Sequence, residues 1–305
     1  MRGSVPVIRP KITLMKTILV TGGAGFIGFH LIKALIYDPS HRIISIDNYF
    51  TGRKTNHIPG VTYLSCHTKN VTSVLDQGID QIFHLGEYSR LGTSLDEPNV
   101  VWDFNILGTL SVLDLWRRSS CKLVYAGSSS KFSQPLLDGI DPKNLSPYTW
   151  SKACNSELIK NYGRWYDLRY TIVYLHNVYG PRELSGRYGT FIEALRRNYI
   201  EGKPLNVTAP GTQRRCFTHV DDTVQGIILA SEQPNSDEYE IGIQRSYSLI
   251  EVAELFAHPI VLTHQESKRI GRSTSMVDSA KIDALGWRPT ERLEKYIEGI
   301  KKAHA

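Results

Sequence analysis

Tyr148 and Lys152 are the two residues whose types and spacing most directly suggest chemistry. They stand four positions apart in the segment Pro147-Tyr-Thr-Trp-Ser-Lys152, which has the pattern of a helix that begins near Pro147. At this spacing both side chains lie on one face of the helix. A lysine ammonium beside a phenol favours the phenolate, so Tyr148 could act as a base near neutral pH. The alternative interpretation is a surface pair on an amphipathic helix.

Ser128 could complete a catalytic group with these two residues. The strand-like run from Lys122 to Ala126 leads into Gly127-Ser128-Ser129-Ser130. Ligands of open parallel sheets bind at the carboxyl ends of the strands, which is where this run would deliver its serines. A hydroxyl group there could share the proton of a substrate with Tyr148. We therefore predict Ser128, Tyr148 and Lys152 as the catalytic residues.

Three glycines near the start of the chain predict a dinucleotide site. Gly22, Gly25 and Gly28 follow a short apolar run and precede a helical pattern. Glycine lets the backbone approach a pyrophosphate closely, and the helix N-terminus that follows attracts the phosphates. Asp47 ends a second strand-like run, where a carboxylate would accept the ribose hydroxyls of NAD and repel the 2′-phosphate of NADP. The alternative is an ordinary glycine turn.

The order of the elements indicates how these residues are positioned. Strand-like runs occur at 17–21, 42–46, 61–65, 80–84, 121–126 and 170–176. Helical patterns lie between them at 26–36, 99–118 and 147–167. Alternating strands and helices predict an α/β fold, a Rossmann doubly wound parallel sheet. We assign 15–180 to an NAD-binding domain, with a returning segment near 205–232.

The C-terminal part of the chain has a different pattern. Residues 181–305 are assigned mainly to a smaller C-terminal α/β substrate-binding region that closes over the carboxyl edge of the sheet. Its predicted helices lie at 189–201, 221–232, 248–256 and 279–285. Residues 1–14 lack the apolar core of a signal peptide, and we interpret them as an expression leader.

Composition excludes several classes of protein. The chain has 305 residues, a net charge of +6 and 41% hydrophobic residues, which is ordinary for a globular protein. It has no long Lys/Arg block that would indicate nucleic-acid binding and no apolar run of membrane-spanning length. The four cysteines are scattered without the spacing of a zinc site. This predicts no metal, no disulfide framework and a cytoplasmic location.

Several motifs in a fixed order give the chain a specific resemblance. They are TGGAGFIG at 21–28, DN at 47–48, HL at 84–85, N-x-x-G-T at 105–109, SPYTWSK at 146–152, HNVYGPR at 176–182, GTQRRCFTHVDD at 211–222 and LGWRP at 285–289. The chain thereby resembles the extended short-chain dehydrogenase/reductases, in the nucleotide-sugar epimerase/dehydratase family that includes UDP-glucose 4-epimerase.

The resemblance implies a role for each matching position. The predicted NAD-binding residues are Gly22, Gly25, Phe26, Ile27, Gly28, Asp47, Asn48, Leu85, Gly86, Asn105, Tyr148 and Lys152. The residues expected to contact a nucleotide-diphosphate sugar are Glu87, Ser129, Asn177, Arg215 and Arg269. Arginine fits the diphosphate because it forms forked, charge-assisted hydrogen bonds. For each arginine a surface or fold-stabilising role is the alternative.

Departures from the family pattern bear on the reaction. Ser129 and Ser130 follow the catalytic serine where the sugar dehydratases carry acids, which argues against a standard 4,6-dehydratase and the related decarboxylase. Glu87 is an unusual carboxyl group that could replace the missing acid, contact a sugar hydroxyl or cap a loop. Cys66 and His67 occupy the place of an acid that meets the adenine in relatives, and His67 could equally be an exposed loop residue.

These observations favour a 4-epimerase that acts through a transient 4-keto sugar. Inversion at C4 needs no second acid or base, in agreement with Ser129 and Ser130. The alternatives are a dehydratase that uses Glu87 and a non-catalytic NAD-binding regulatory protein. The resemblance further implies a homodimer formed through the helices at 99–118 and 147–167. An apolar stripe on the first of them could belong to that interface or to the core; it consists of Leu107, Leu110, Val112, Leu113 and Trp116.

Overall fold

The computed structural model describes residues 15–132, 146–264 and 276–304. Its centre is a sheet of seven parallel strands. In chain order these strands are β1 (Lys16–Thr21), β2 (His41–Asp47), β3 (Thr62–Ser65), β4 (Gln81–His84), β5 (Lys122–Ser128), β6 (Arg169–Leu175) and, later in the chain, β11 (Asp237–Ile241). Their order across the sheet is β11-β6-β5-β4-β1-β2-β3. The predicted α/β doubly wound parallel sheet is confirmed.

Helices cover both faces of this sheet and fill the C-terminal region. They are α1 (Phe26–Leu35), α2 (Val71–Val74), α3 (Pro98–Val101), α4 (Gly108–Ser119), α5 (Pro147–Tyr166), α6 (Phe191–Ile200), α7 (Val220–Ser231), α8 (Leu249–Glu254), α9 (Ala280–Ala284) and α10 (Leu293–His304). A π-helical segment, Trp102–Leu107, joins α3 to α4. The predicted helix at 99–118 is therefore one continuous helical stretch.

Alternation along the strands builds two hydrophobic cores. On β1, Ile18 and Val20 pack into the core that also contains residues of α1 and α7, whereas Leu19 packs into the core on the opposite face. Every residue of β4 and β5 is buried. Because both faces of a parallel sheet are covered, its central strands consist of nearly continuous buried runs.

The remaining strands are short and belong to the C-terminal region. They are β7 (Val178–Tyr179), β8 (Leu205–Thr208), β9 (Arg214–Cys216), β10 (Thr218–His219), β12 (Ser246–Ser248) and β13 (Ile260–Thr263). They form three pairs, β7 with β10, β8 with β13, and β9 with β12. A third hydrophobic core lies among them and includes Leu195, Val207, Phe217, Phe256 and Ile297.

The returning segment predicted near 205–232 packs with the first domain through α7, but its start does not. Its start, β8, pairs with β13 in the C-terminal region instead. The chain returns with α7, which packs in the same core as α1, and with β11, which pairs with β6 at the sheet edge. The strand β11 was missed because its sequence, Asp-Glu-Tyr-Glu-Ile, is mostly charged, as an edge strand tolerates.

Two predicted features fall on parts of the chain that the structure does not describe. These are the expression leader, residues 1–14, and the substrate contact Arg269. Within the described ranges, no helix is both long and apolar enough to span a bilayer.

Candidate active site

A cleft of about 530 Å³ opens at the carboxyl edge of the central sheet. The residues that follow β1, β4 and β5 line it, as do residues of α5 and of the C-terminal region. This is the place where parallel α/β sheets bind their ligands. The chemistry-bearing residues predicted from the sequence can therefore be located relative to one space.

The glycine turn forms one end of the cleft and leaves room that a side chain would fill. Gly22 has a φ of +71°, a conformation that glycine adopts without strain. A Cβ atom at this position would lie 2.9 Å from the backbone of Gly86 on the neighbouring turn. Helix α1 begins after Gly25, so its first N–H groups point toward the same space. The turn therefore fits a pyrophosphate.

Asp47 ends β2 beside the glycine turn and is held by the backbone. Its carboxylate accepts hydrogen bonds from the N–H of Ala24 at 3.0 Å and of Tyr49 at 2.8 Å. Burial raises the pKa of Asp47, and these two N–H groups act in the opposite direction. Asp47 and Asn48 both line the cleft. The fixed carboxylate next to the turn is suited to a ribose hydroxyl.

Nine predicted cofactor residues besides Tyr148 and Lys152 line this cleft. They are Gly22, Gly25, Phe26, Ile27, Gly28, Asp47, Asn48, Leu85 and Gly86. Asn105 is the exception, because it is fully buried and does not line the cleft. Its side chain accepts a hydrogen bond from the N–H of Tyr88 at 2.7 Å and donates one to the carbonyl oxygen of Tyr88 at 3.1 Å. Asn105 therefore supports the loop after β4, and its contribution to NAD binding stays a prediction.

The three predicted catalytic residues line the same cleft from two elements. Ser128 is the last residue of β5. Its Oγ accepts two hydrogen bonds from Ser130, one from the N–H at 3.2 Å and one from the hydroxyl at 2.9 Å. Tyr148 and Lys152 lie in the first turns of α5. Ser146 caps that helix by accepting a hydrogen bond from the N–H of Thr149. The cap fixes where α5 starts and thereby which residues face the cleft.

Glu87 lines the cleft, and its carboxylate is held by protein groups. Only 1% of its side chain is exposed, and its carboxylate is buried against the ammonium of Lys152. The hydroxyl of Thr109 donates to Glu87 at 2.7 Å, the amide of Asn155 at 2.8 Å and the hydroxyl of Tyr125 at 3.0 Å. Protein donors contact both oxygens and Lys152 is the charged partner of Glu87, whereas its contact with a sugar hydroxyl stays a prediction.

Electrostatics explain why the Glu87 carboxylate is stable in this position. Burial alone would raise its pKa, but the Lys152 ammonium and the surrounding donors outweigh burial, so the pKa of Glu87 is lowered. His84 lies 3.9 Å away, and burial lowers the pKa of His84 to about 4. Near neutral pH the group therefore contains one carboxylate and one ammonium beside a neutral imidazole.

Three of the residues predicted to contact the substrate lie in the cleft lining. They are Ser129, Asn177 and Arg215, and their contact with a substrate stays a prediction. The amide of Asn177 donates to the carbonyl oxygen of Cys216 at 2.9 Å, and Arg215 donates to that of Arg214 at 2.8 Å. The contact between Asn177 and Cys216 connects the C-terminal region to the segment that follows β6.

The sequence reasoning missed Arg90, which also lines the cleft. Its guanidinium donates to the carbonyl oxygen of Tyr188 and, at 3.1 Å, to that of Ser89, and burial lowers the pKa of Arg90. The only available signal was its position at the end of the unusual segment GEYSR.

The residues that replace an acid near the adenine separate in the structure. Cys66 lines the cleft, whereas His67 does not. The ring of His67 packs edge-on against Phe104, with 4.6 Å between ring centroids, and its Nε2 lies 3.1 Å from the carboxylate of Asp103. His67 is therefore a packed residue beside the cleft, and the expectation of an exposed loop histidine is wrong.

Comparisons with known proteins agree with this geometry. Residues 18–242 match the NAD dependent epimerase/dehydratase family. A putative UDP-glucose 4-epimerase of Methanocaldococcus jannaschii is 30% identical over 302 residues, which cover 93% of this chain and 96% of the relative. UDP-glucuronic acid decarboxylase 6 of Arabidopsis thaliana is 28% identical, with 91% and 85% covered.

Solved structures share the fold over nearly the whole chain. The UDP-glucose 4-epimerase of Thermotoga maritima with UDP-glucose superposes with a TM-score of 0.83 and 23% identity, covering 94% of this chain and 97% of that one. The NAD complex of the Thermus thermophilus UDP-glucose 4-epimerase gives a TM-score of 0.81 and 22% identity, with 94% and 99% covered. The chain belongs to the NAD dependent epimerase/dehydratase family, and its cofactor is NAD.

Proposed function

We propose that the protein is a nucleotide-sugar 4-epimerase that acts through a transient 4-keto sugar. The observation that carries this proposal is that Ser128, Tyr148 and Lys152 line one cleft with the glycine turn. A base, a hydroxyl and a cation are thereby brought to the space beside the cofactor site. Bound NAD supplies the redox chemistry, because its nicotinamide can take a hydride from C4 of the sugar and return it.

Each residue has a defined task in this proposal. Tyr148 removes the proton from the C4 hydroxyl as the carbonyl forms and returns it afterwards. The Ser128 hydroxyl shares that proton, and the Lys152 ammonium stabilises the phenolate. Asn177 and Arg215 hold the diphosphate, so that the sugar can rotate about its link to phosphate and present its other face.

Two features argue against loss of water or carbon dioxide. Ser129 and Ser130 occupy the positions where dehydratases carry acids, and neither can replace a carboxylic acid as a proton donor. Glu87 was the remaining candidate, but its carboxylate is paired with Lys152 and its pKa is lowered, so it holds no proton to donate near neutral pH. Decarboxylases are nevertheless among the relatives, and the experiment below distinguishes the reactions.

We also propose that the enzyme is a cytoplasmic homodimer. Exposed apolar side chains lie at the end of the π-helical segment and on α4 and α5. Among them are Leu107, Leu110, Trp150, Trp165 and Tyr166. A surface of this kind commonly marks a protein–protein contact. The stripe predicted on α4 is divided, because Val112, Leu113 and Trp116 are buried in the core.

The cytoplasmic location is supported by the cysteines. All four lie in the described part of the chain and none forms a disulfide, which suits a reducing compartment.

The test is turnover of a panel of UDP-, dTDP-, GDP- and CDP-sugars, with products identified by mass and NMR. An epimerase gives an unchanged mass with inverted C4, whereas a dehydratase product has lost water and a decarboxylase product carbon dioxide. Tyr148→Phe should lower kcat by about a hundredfold or more, since it removes the base. Tyr37→Phe, at a position that is 78% exposed and not part of the cleft lining, is the matched control. Turnover unchanged in Tyr148→Phe, or absent with every sugar, contradicts the proposal.

A further inference from the structure

The ammonium of Lys152 faces the cleft and is also bound by protein groups on its buried side. A lysine ammonium has three N–H bonds. One is directed to the carboxylate of Glu87 and one to the carbonyl oxygen of Ala126 at 2.6 Å. Only 6% of the Lys152 side chain is exposed. The position of the cation is therefore set at two strand ends, by Glu87 in the loop after β4 and by Ala126 of β5.

The Glu87 carboxylate is in turn held by residues from three elements. Thr109 of α4, Tyr125 of β5 and Asn155 of α5 donate hydrogen bonds to it, and all three are buried. A carboxylate with this many donors is fixed in orientation. Replacing it would leave Lys152 as a buried cation without its counterion, which is costly.

We propose that Glu87 is a positioning residue of the catalytic centre, whose buried carboxylate fixes the Lys152 ammonium and offsets its charge at Tyr148. The inference rests on the proposed function in taking Tyr148 as the base. It assigns Glu87 a task through Lys152, without contact to the sugar. The position of the Lys152 ammonium and its electrostatic effect on the Tyr148 phenol then both depend on Glu87.

The groups that face this pair define the electrostatic balance. His84 of β4 lies 3.9 Å from Glu87, and the Lys152 ammonium lies 5.0 Å from the ring centroid of Tyr125. Arg90, from the loop after β4, interacts electrostatically with Tyr148 and with the carboxylate of Glu183. The Lys152 ammonium is opposed by the ionised carboxylate of Glu87. Removing that negative charge favours proton loss from every titratable group left nearby.

The experiment measures this charge directly in the NAD-saturated protein without sugar. Tyrosine labelled at the ring Cζ carbon is followed by NMR as pH is varied, and the Tyr148 resonance is assigned by its loss in Tyr148→Phe. In Glu87→Gln, the midpoint of that resonance should move to lower pH by about one unit. An unchanged midpoint overturns the proposal and reduces Glu87 to a packing role.

Two further variants complete the test. Glu87→Asp keeps the charge but withdraws it by one methylene, so a smaller displacement in the same direction is expected. This variant carries the test alone if Glu87→Gln does not fold, and a midpoint identical to that of the unmodified protein then overturns the proposal. Glu193→Gln is the matched control, because Glu193 is a buried carboxylate paired with Arg196 at 2.6 Å on α6. Its midpoint should equal that of the unmodified protein.

Failure of this inference and failure of the proposed function can be told apart. The titration needs no sugar, so it reports on Glu87 even if no sugar of the panel is converted. Where turnover is measurable, Glu87→Gln should also move the pH profile of kcat/KM to lower pH, with Glu87→Asp between the two. Normal turnover with an unmoved Tyr148 midpoint rejects only the role of Glu87.

Discussion

Gly28 and Gly22 approach each other so closely that no side chain fits between them. A Cβ atom on Gly28 would lie 2.2 Å from the carbonyl oxygen of Gly22 and 2.7 Å from the Cα of Gly23. The close contact packs the first turn of α1 against the end of β1. The third glycine of the motif therefore sets the position of the helix N-terminus that faces the cofactor.

Gly28→Ala should displace this turn and weaken NAD binding. We expect at least a tenfold loss of affinity and a destabilisation of about 1–3 kcal/mol from overpacking. Calorimetric titration with NAD and urea unfolding measure the two effects. Gly299→Ala in α10 is the control, since a Cβ atom there would meet nothing within 4 Å among the described residues and alanine is the better helix former. NAD affinity unaltered in Gly28→Ala would show that the contact does not control the turn.

Asn105→Ala should destabilise the loop after β4. The substitution leaves the N–H and carbonyl oxygen of Tyr88 without their buried partner, at a cost of about 1–3 kcal/mol in the free energy of unfolding. Urea unfolding measures this, with Asn206→Ala at an exposed position of β8 as the control. Equal losses in the two variants would mean that Asn105 does not hold the loop.

The sequence was informative wherever local pattern determines structure. The glycine turn, the strand ends at Asp47 and Ser128 and the pair on α5 follow from spacing within single elements. A strand–turn–helix unit brings its own residues to the sheet edge, because the carboxyl ends of parallel strands meet there. The cleft and most of its predicted lining could therefore be derived before the structure was known.

The role of Glu87 could not be derived in this way. Its partners come from α4, β5 and α5, at separations of 22 to 68 residues. Only tertiary packing brings them to one carboxylate. The apolar stripe at 107–116 could not be assigned to the core or to an interface for a related reason. Helical periodicity groups Leu107 and Val112 in one apolar stripe. It does not show that Val112 is buried in the core and Leu107 is exposed.

Leu107→Glu should convert the proposed homodimer to a monomer. Leu107 is 51% exposed, and a charge buried there on association would be unpaired. Sedimentation velocity measures the change in mass. Leu262→Glu is the matched control, because Leu262 is 49% exposed but lies on β13 in the C-terminal region. A dimer that persists in Leu107→Glu would place the interface elsewhere. If the unmodified protein is a monomer, the proposed homodimer is wrong.

His84 links folding to pH because it is buried as a neutral ring. Its Nδ1 lies 2.8 Å from the hydroxyl of Thr21, and its Nε2 lies 2.9 Å from that of Thr109. Burial lowers its pKa to about 4, below that of the unfolded chain, near 6.5. Between these values the unfolded chain binds a proton that the folded protein does not. The contribution of His84 to stability is therefore complete above about pH 6.5 and declines as the pH falls toward 4.

His84→Gln removes this proton linkage while it retains a polar side chain between Thr21 and Thr109. The free energies of unfolding of the two proteins should converge by about 2 kcal/mol as the pH falls from 7 to 5, because only the unmodified protein loses the contribution of a neutral imidazole. Urea unfolding at both pH values measures this difference. Between about pH 7 and 8 the difference should stay constant, since the imidazole is then neutral in both states. A difference that is equal at pH 5 and pH 7 would mean that the folded and unfolded proteins bind the same number of protons at His84. The folded protein would then have a charged imidazole beside the Glu87–Lys152 pair at pH 5.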